Sequence, residues 1–177
     1  MLTKYGRRET AMYQVGDRVV YGIHGVCAVV ALEERVVDRK KVTYLVLEPV
    51  GQGGSRFLVP AHNDAAMAKL RKMLSSEDLE ELLHDEALHS GNWVVEENRR
   101  KQLYRELISG GDRKAILTMI CTIHRHKEAQ LAAGKKVHQC DENFLHDAEK
   151  LLAGEISIVL DMDYPQAINY LRENMYK

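Results

Sequence analysis

The hydrophobic pattern of this chain changes its period at Pro60, and that change limits the fold more than any other feature. Before Pro60, short runs rich in β-branched and aromatic residues alternate with breakers, as expected for strands. After it, apolar residues recur three and four positions apart, which is the spacing of amphipathic helices. The sequence therefore predicts an α+β protein in which a β module precedes an all-helical domain.

Four short strands are expected in the first part of the chain. They are the runs 17–21, 26–32, 42–47 and 57–59, and the breakers between them lie at 22–25, 38–41 and 51–54. Short strands at this spacing are typical of a small, strongly bent antiparallel barrel.

Helix starts are expected where a capping residue precedes a periodic apolar run. Asn63 is expected to cap a helix to about residue 73, and Ser75 or Ser76 to cap 77–83. Later helices are predicted over 98–108, from Asp112, from Asp141, and from Asp163 with Pro165 in its first turn. The predicted buried faces comprise Leu103, Leu107 and Ile108; Ile116, Met119, Ile120 and Ile123; and Leu145, Ala148, Leu151, Leu152, Ile156 and Val159. The predicted parts are a flexible extension over 1–11, the β module over 12–62 and the helical domain over 63–177.

The charge is unevenly distributed although the net charge is only -1. Residues 75–92 hold six acids and no Lys or Arg, residues 93–137 hold ten Lys or Arg against five acids, and residues 138–177 hold three against eight. A basic segment between two acidic ones is either an anion-binding patch or a set of solvated helix faces. The absence of long apolar runs and of a signal-like N-terminus predicts a cytoplasmic location, where Cys27, Cys121 and Cys140 stay reduced.

Signals for catalysis or metal binding are weak. The glycines of 51–54 lack the Lys-Ser/Thr and the helix that a phosphate-binding loop requires. The pairs His24/Cys27, His124/His126 and His138/Cys140 do not form matched sets at zinc-site spacing, and Cys121 lies beside an apolar helix stripe. We expect neither an enzyme nor a metal or other cofactor.

Trp93, the only tryptophan, is the best local clue to function. An indole is usually buried, but Gly91 and Asn92 favour a turn just before it, and a basic run beginning at Arg99 follows it. An aromatic ring beside cations suits base stacking with phosphates held nearby. The local residues leave both interpretations open.

The order of several motifs resembles the CarD family of bacterial transcription regulators, also called CdnL-like. The motifs are the run 12–21 with His24-Gly25-Val26, the strands 44–47 and 57–60, Asn92-Trp93, the turn 109–112, and the run 148–152 with Glu155. The resemblance covers nearly everything from Met12 onward. It implies a Tudor-like β module that binds the RNA polymerase β subunit, joined to a helical module that contacts promoter DNA. Long helicases for transcription-repair coupling share the β module, but no Walker motif occurs here.

For the polymerase contact, the resemblance implies Arg35 and its apolar neighbour Val37, together with an exposed strand edge that a partner strand extends. Leu58 stands where the family has a second arginine, and Arg56, two residues earlier on the same strand face, is expected to substitute. An unpaired strand edge suits this kind of contact on physical grounds as well.

For the DNA contact, the resemblance implies that Trp93 acts as a wedge at the upstream edge of the melted promoter, with Asn92 beside it. The basic positions that it implies are Arg99, Lys101, Arg125 and Lys127. In this chain, residues 94–97 replace a more basic stretch, and the segment from Trp93 to Ser109 is about three residues longer than the family pattern. Glu96 and Glu97 are compatible with nearby DNA if they cap a helix.

The resulting hypothesis is a monomeric accessory factor that stabilises the promoter open complex without reading bases and without catalysis. The alternative is a protein–protein adaptor whose helices bind a second protein. A Trp93 buried between helices, or neutralisation of the basic segment by the acidic stretch 75–92, would favour the adaptor.

Overall fold

The computed structural model describes residues 13–51 and 54–176, in two compact units, Met1–Met73 and Leu74–Lys177. It confirms the predicted α+β architecture, in which an antiparallel β module is followed by helices. The predicted extension over 1–11 lies outside the described residues. No helix in the described ranges combines the length and the apolar character needed to cross a membrane.

The first unit is a five-stranded antiparallel sheet with the strand order β4-β3-β2-β1-β5. Its strands are β1 (Arg18–Tyr21), β2 (Val26–Val37), β3 (Lys40–Pro49), β4 (Phe57–Pro60) and β5 (Leu70–Lys72). Its core is aliphatic apart from one tyrosine and one cysteine: Tyr13, Val19, Cys27, Val29, Leu45, Leu47, Val59 and Leu70.

The β2–β3 hairpin is longer than the sequence predicted. Only Asp38 and Arg39 form the turn, and both have positive φ, at 49° and 62°. Positive φ at both central residues is the geometry of a two-residue hairpin turn whose twist matches the strands. Lys40 and Lys41, which were predicted as part of the breaker, therefore belong to β3, and they pair with Val37 and Val36 of β2.

The predicted helix from Asn63 to about residue 73 is wrong in its length. Asn63 does cap α1 (Asp64–Met67), since its Oδ1 accepts from the Ala66 N–H at 3.0 Å. The chain then turns into β5, where Leu70 is only 5% exposed and its carbonyl accepts from the Tyr13 hydroxyl at 3.3 Å. Pairing with β1 and burial of Leu70 override the local helical preference. The first compact unit accordingly runs to Met73 and includes β5.

The second unit is helical around one core. Its helices are α2 (Ser76–Leu83), α3 (Glu97–Gly110), α4 (Arg113–Ala132), α5 (Gln139–Val159) and α6 (Tyr164–Met175), with a 3-10 turn at Glu86–Ser90. The predicted caps Ser75, Asp112 and Asp163 are confirmed, because each side chain accepts a backbone N–H of its helix. The α4 stripe of Ile116, Met119, Ile120 and Ile123 is buried as predicted.

Two expectations about the helices are wrong. Asp141 does not open α5, which begins at Gln139. The Asp141 side chain is 4% exposed and forms an ion pair with Arg100. On α3, Leu103 is 36% exposed, whereas Arg100 and Tyr104 are buried. The face of α3 that packs on α5 carries Arg100 and Tyr104, which contact Asp141 and Phe144, and Leu103 lies outside that face.

Candidate functional site

Trp93 lies in the loop between the 3-10 turn and α3, and it is half-buried against the helical core. Its ring stacks on His126 of α4, with centroids 3.5 Å apart and an interplanar angle of 9°. The guanidinium carbon of Arg100 lies 4.4 Å from the indole centroid. The indole is therefore neither free nor fully enclosed: α3 and α4 both contact its π surface and leave part of it accessible.

Arg100 fixes the backbone that follows Trp93. Its Nη1 donates to the carbonyls of Val94 and Val95, at 2.9 and 3.2 Å. Its Nε and Nη2 donate to the Asp141 carboxylate at 2.8 and 2.9 Å, and this hydrogen bonding raises the pKa of Arg100. Because the Arg100 side chain is only 3% exposed, its guanidinium is a buried structural cation and not a surface charge.

Arg125 holds the backbone that precedes Trp93. From α4, its Nη1 donates to the carbonyl of His89 at 2.7 Å and its Nη2 to that of Gly91 at 2.5 Å. Gly91 packs tightly against the same helix, because a Cβ there would lie 2.1 Å from Thr122 Oγ1 and 2.9 Å from Thr118 Cγ2. The loop is thus held on both sides of the indole.

The other cations predicted to contact DNA differ in their surroundings. Arg99 is exposed, and its side chain has no acidic partner within the described residues. Lys101 forms an ion pair with Glu97 one helical turn away, and this hydrogen bond raises the pKa of the lysine. Lys127 is held by Glu142 at 2.9 Å.

The acids that follow Trp93 have a local function. The Glu96 carboxylate accepts from the N–H groups of Asn98 and Arg99, at 2.9 and 2.6 Å, and so caps α3. A negative charge at a helix N-terminus is favourable. This cap satisfies the condition on which Glu96 was expected to be compatible with neighbouring DNA. Asn92, on the other side of the indole, is exposed.

Sequence reasoning did not single out Arg100 and His126 as contacts of the indole. A signal existed for Arg100, because it lies four residues before Tyr104 and therefore on the same helix face. No local signal existed for His126, whose position beneath Trp93 depends on the packing of α4 against the loop.

The four residues predicted to contact polymerase lie in the first unit, and three of them lie on one face of the sheet. Cross-strand partners share a face, and so do alternate residues along a strand. Arg35, Val37 and Leu58 pair, in that order, with Val42, Lys40 and Val46, which alternate along β3. The core residues of β3 alternate with these and point to the other side.

These candidate residues are accessible. Arg35 forms an exposed ion pair with Glu33 at 2.8 Å, and Arg56, just before β4, forms one with Glu48 at 2.7 Å. Val37 and Leu58 are exposed apolar side chains. Leu58 belongs to β4, which is an edge strand of the sheet.

Side chains with catalytic or metal-binding potential are dispersed or buried. Burial raises the pKa of Cys27 and of Cys121 to about 11 in each case, so both thiols stay protonated near neutral pH. His124 stacks on Tyr176 and His126 on Trp93, so the two histidines face different neighbours. Across residues 13–51 and 54–176, no group of three or more His, Cys, Asp or Glu side chains is placed to hold a metal ion.

A comparison with known protein families gives the class of the first unit. Residues 13–73 match the CarD-like/TRCF RID domain, a range that ends where the first compact unit ends. This is a protein-interaction domain, not an enzymatic one, and it indicates a transcription-associated protein that interacts with RNA polymerase. The predicted resemblance to the CarD/CdnL-like family is thereby confirmed, and the matched residues are those of the β module.

Proposed function

We propose that this protein binds the β subunit of RNA polymerase through its first unit and stabilises the promoter open complex through DNA contacts of its helical unit. Trp93 serves as the wedge at the upstream edge of the melted region, and no reaction is catalysed. The observation that carries this proposal is the Trp93 loop, which Arg100 and Arg125 hold from both sides in a defined conformation.

A loop that is already ordered favours binding. Ordering flexible groups on association costs free energy, and a prearranged contact avoids part of that cost. Side chains of α3 and α4 cover part of the π surface of the indole. The part of the indole that stays accessible is the part that contacts a distorted base step. Apolar side chains inserted at a base step are a known device for stabilising bent or opened DNA.

Tethering to polymerase allows the DNA contact itself to be weak. Attachment through the first unit raises the local concentration of the helical unit at the promoter. A DNA contact that forms mainly in the open complex shifts the balance between closed and open promoter complexes. The size of the shift is set by the difference in affinity for the two states. Cations such as Arg99 add attraction to phosphates that depends on salt and not on sequence. Promoter selectivity then comes from polymerase and from promoter stability.

The polymerase contact is assigned to the sheet face that carries Arg35, Val37 and Leu58, with Arg56 beside it. Exposed apolar side chains next to cations suit an acidic or mixed partner surface. The neighbouring edge strand β4 offers unpaired backbone groups to a partner strand. Support for this assignment comes from the domain match and from the accessibility of the four side chains.

The test is the lifetime of the open complex on one promoter with the same polymerase, for the wild type and Trp93→Ala. Stacking on a base is worth roughly 1–3 kcal/mol, so the variant should shorten the lifetime about 5- to 150-fold. Trp93→Phe, which keeps an aromatic ring, should retain part of the effect. Equal lifetimes for wild type and Trp93→Ala, with polymerase binding intact, would contradict the proposed role of Trp93 as a wedge.

The ion pairs of the helical unit favour a second candidate, the protein–protein adaptor. Acids neutralise Lys101, Lys114 and Lys127 through Glu97, Asp85 and Glu142, and Trp93 is half-buried. An adaptor would leave the open-complex lifetime unchanged in Trp93→Ala and would show no salt-dependent affinity for DNA. The same experiment therefore separates the two functions.

A further inference from the structure

One face of α4 lies beneath the Trp93 loop and contacts it at four positions. Thr118 and Thr122 occupy the space that a Cβ of Gly91 would need, Arg125 binds two carbonyls, and His126 stacks on the indole. These positions follow the spacing i, i+4, i+7 and i+8, which places them on a single helix face. Helix α4 thus provides the surface on which the loop takes its shape.

Among the described residues of this face, only Arg125 donates side-chain hydrogen bonds to two backbone carbonyls of the loop. Its two terminal nitrogens are each used for a carbonyl, that of His89 and that of Gly91. A planar guanidinium presents its donors as a fixed fork, whereas a lysine ammonium is a compact charge on a flexible stem. A side chain that served only as a phosphate contact would not require this geometry.

We propose that Arg125 is a positioning residue, which fixes the direction of Trp93 by clamping the backbone on the N-terminal side of the indole. It acts as the counterpart of Arg100, which binds the carbonyls on the C-terminal side. The clamp is a property of the free protein. Its consequence for promoter DNA rests on the proposed function, since a displaced indole would no longer meet the base step.

The first test uses the free, full-length protein, in which Trp93 is the only tryptophan and therefore the only indole fluorophore. Arg125→Lys keeps the charge and loses the fork, and Arg125→Ala loses both. If Arg125 is a clamp, both variants should show the same red-shifted emission and the same loss of protection against acrylamide. Arg99→Lys, at an exposed cation with no acidic partner in the described ranges, is the matched control and should behave like the wild type. Emission and quenching of Arg125→Lys equal to those of the wild type would overturn the clamp.

The second test separates the clamp from a phosphate-binding role. The affinity for duplex DNA with a melted segment is measured at several salt concentrations. Removal of one cation that binds a phosphate should reduce the slope of log K against log salt by about 0.9. A clamp predicts that Arg125→Lys and Arg125→Ala weaken the affinity equally. If Arg125→Lys keeps the affinity and slope of the wild type while Arg125→Ala does not, Arg125 binds a phosphate and the proposal is contradicted.

The two proposals fail in different ways. Far-UV circular dichroism confirms that each variant is folded, and Arg125→Lys alone decides the clamp should Arg125→Ala unfold. If Arg125→Lys alters the emission but Trp93→Ala leaves the open-complex lifetime unchanged, the clamp is supported and the wedge is contradicted. If Arg125→Lys leaves the emission unaltered and Trp93→Ala shortens the lifetime, the wedge is supported and the clamp is contradicted.

Discussion

Three consecutive cations, Arg99, Arg100 and Lys101, have three different environments. Arg99 is exposed, Arg100 is buried against Asp141, and Lys101 is held by an acid of its own helix. Successive helical residues point about 100° apart, so one basic run cannot form one patch. A surface for phosphates at this loop therefore has fewer cations than a count along the sequence implies.

Gly91 occupies a position of the loop where any larger residue would collide with α4. Gly91→Ala would place a Cβ 2.1 Å from Thr122 Oγ1 and should lower the free energy of unfolding of the helical unit by roughly 1–3 kcal/mol. Urea denaturation followed by far-UV circular dichroism measures this, since the first unit has little helix. The matched control is Gly154→Ala in α5, where a Cβ meets no described atom within 4 Å and stability should rise by about 0.5–1 kcal/mol. Equal stability of Gly91→Ala and wild type would mean that the loop does not rest on α4 as described.

At the scale of elements, α4 organises the helical unit. One of its faces is buried in the core, one supports the Trp93 loop, and His124 contacts the end of the chain through Tyr176. Burial lowers the pKa of both His124 and His126. The charged groups that act on them are Glu128, Lys127 and Glu149 for His124, and Asp141, Arg100 and His138 for His126.

The two histidines should make the helical unit sensitive to mild acid. Because their folded pKa values lie below the ordinary value of about 6.5, the unfolded state binds more protons in that window. The free energy of unfolding should therefore be greatest above about pH 6.5 and fall as the pH is lowered towards the folded pKa values. Urea denaturation between about pH 7.5 and 5.5 measures this slope. The double variant His124→Asn/His126→Asn should show a flatter profile, and an unchanged slope would assign the effect to other groups.

At the scale of the whole molecule, the division into two units predicts which fragment folds by itself as a β module. A fragment ending after Met73 keeps β5 and the buried Leu70, whereas one ending after residue 62 loses both. Burying a leucine is worth about 1.5–3 kcal/mol, and β1 also loses its pairing with β5. We expect the longer fragment to melt cooperatively and to retain the polymerase β subunit in a pull-down. The shorter one should do neither, and a cooperative transition in it would contradict the assigned boundary.

The features predictable from the sequence are those that local residues determine. The capping residues Ser75, Asp112 and Asp163 predict where their helices start. The change of hydrophobic period at Pro60 predicts the fold class. The features that were missed depend on contacts between distant residues. Leu70 joins a strand about 50 residues earlier, and Arg100 pairs with a carboxylate 41 residues later. The sequence singled out Trp93 as a candidate, and that assignment stays a prediction. The hydrogen bonds of Arg100 and Arg125 to the neighbouring carbonyls were not predicted, because the sequence does not show which side chain will reach a backbone carbonyl.

The four contacts of α4 with the loop also form a linear signature. The spacing Thr118, Thr122, Arg125, His126 can be written as Thr-x3-Thr-x2-Arg-His, downstream of Gly-Asn-Trp. These four side chains pack on the glycine, bind the carbonyls and stack on the ring. On the clamp that we propose, the pattern therefore sets the direction of a tryptophan about 30 residues earlier in the chain. The same proposal predicts that another chain with Gly-Asn-Trp holds its indole in this way where the downstream helix carries the same four residues.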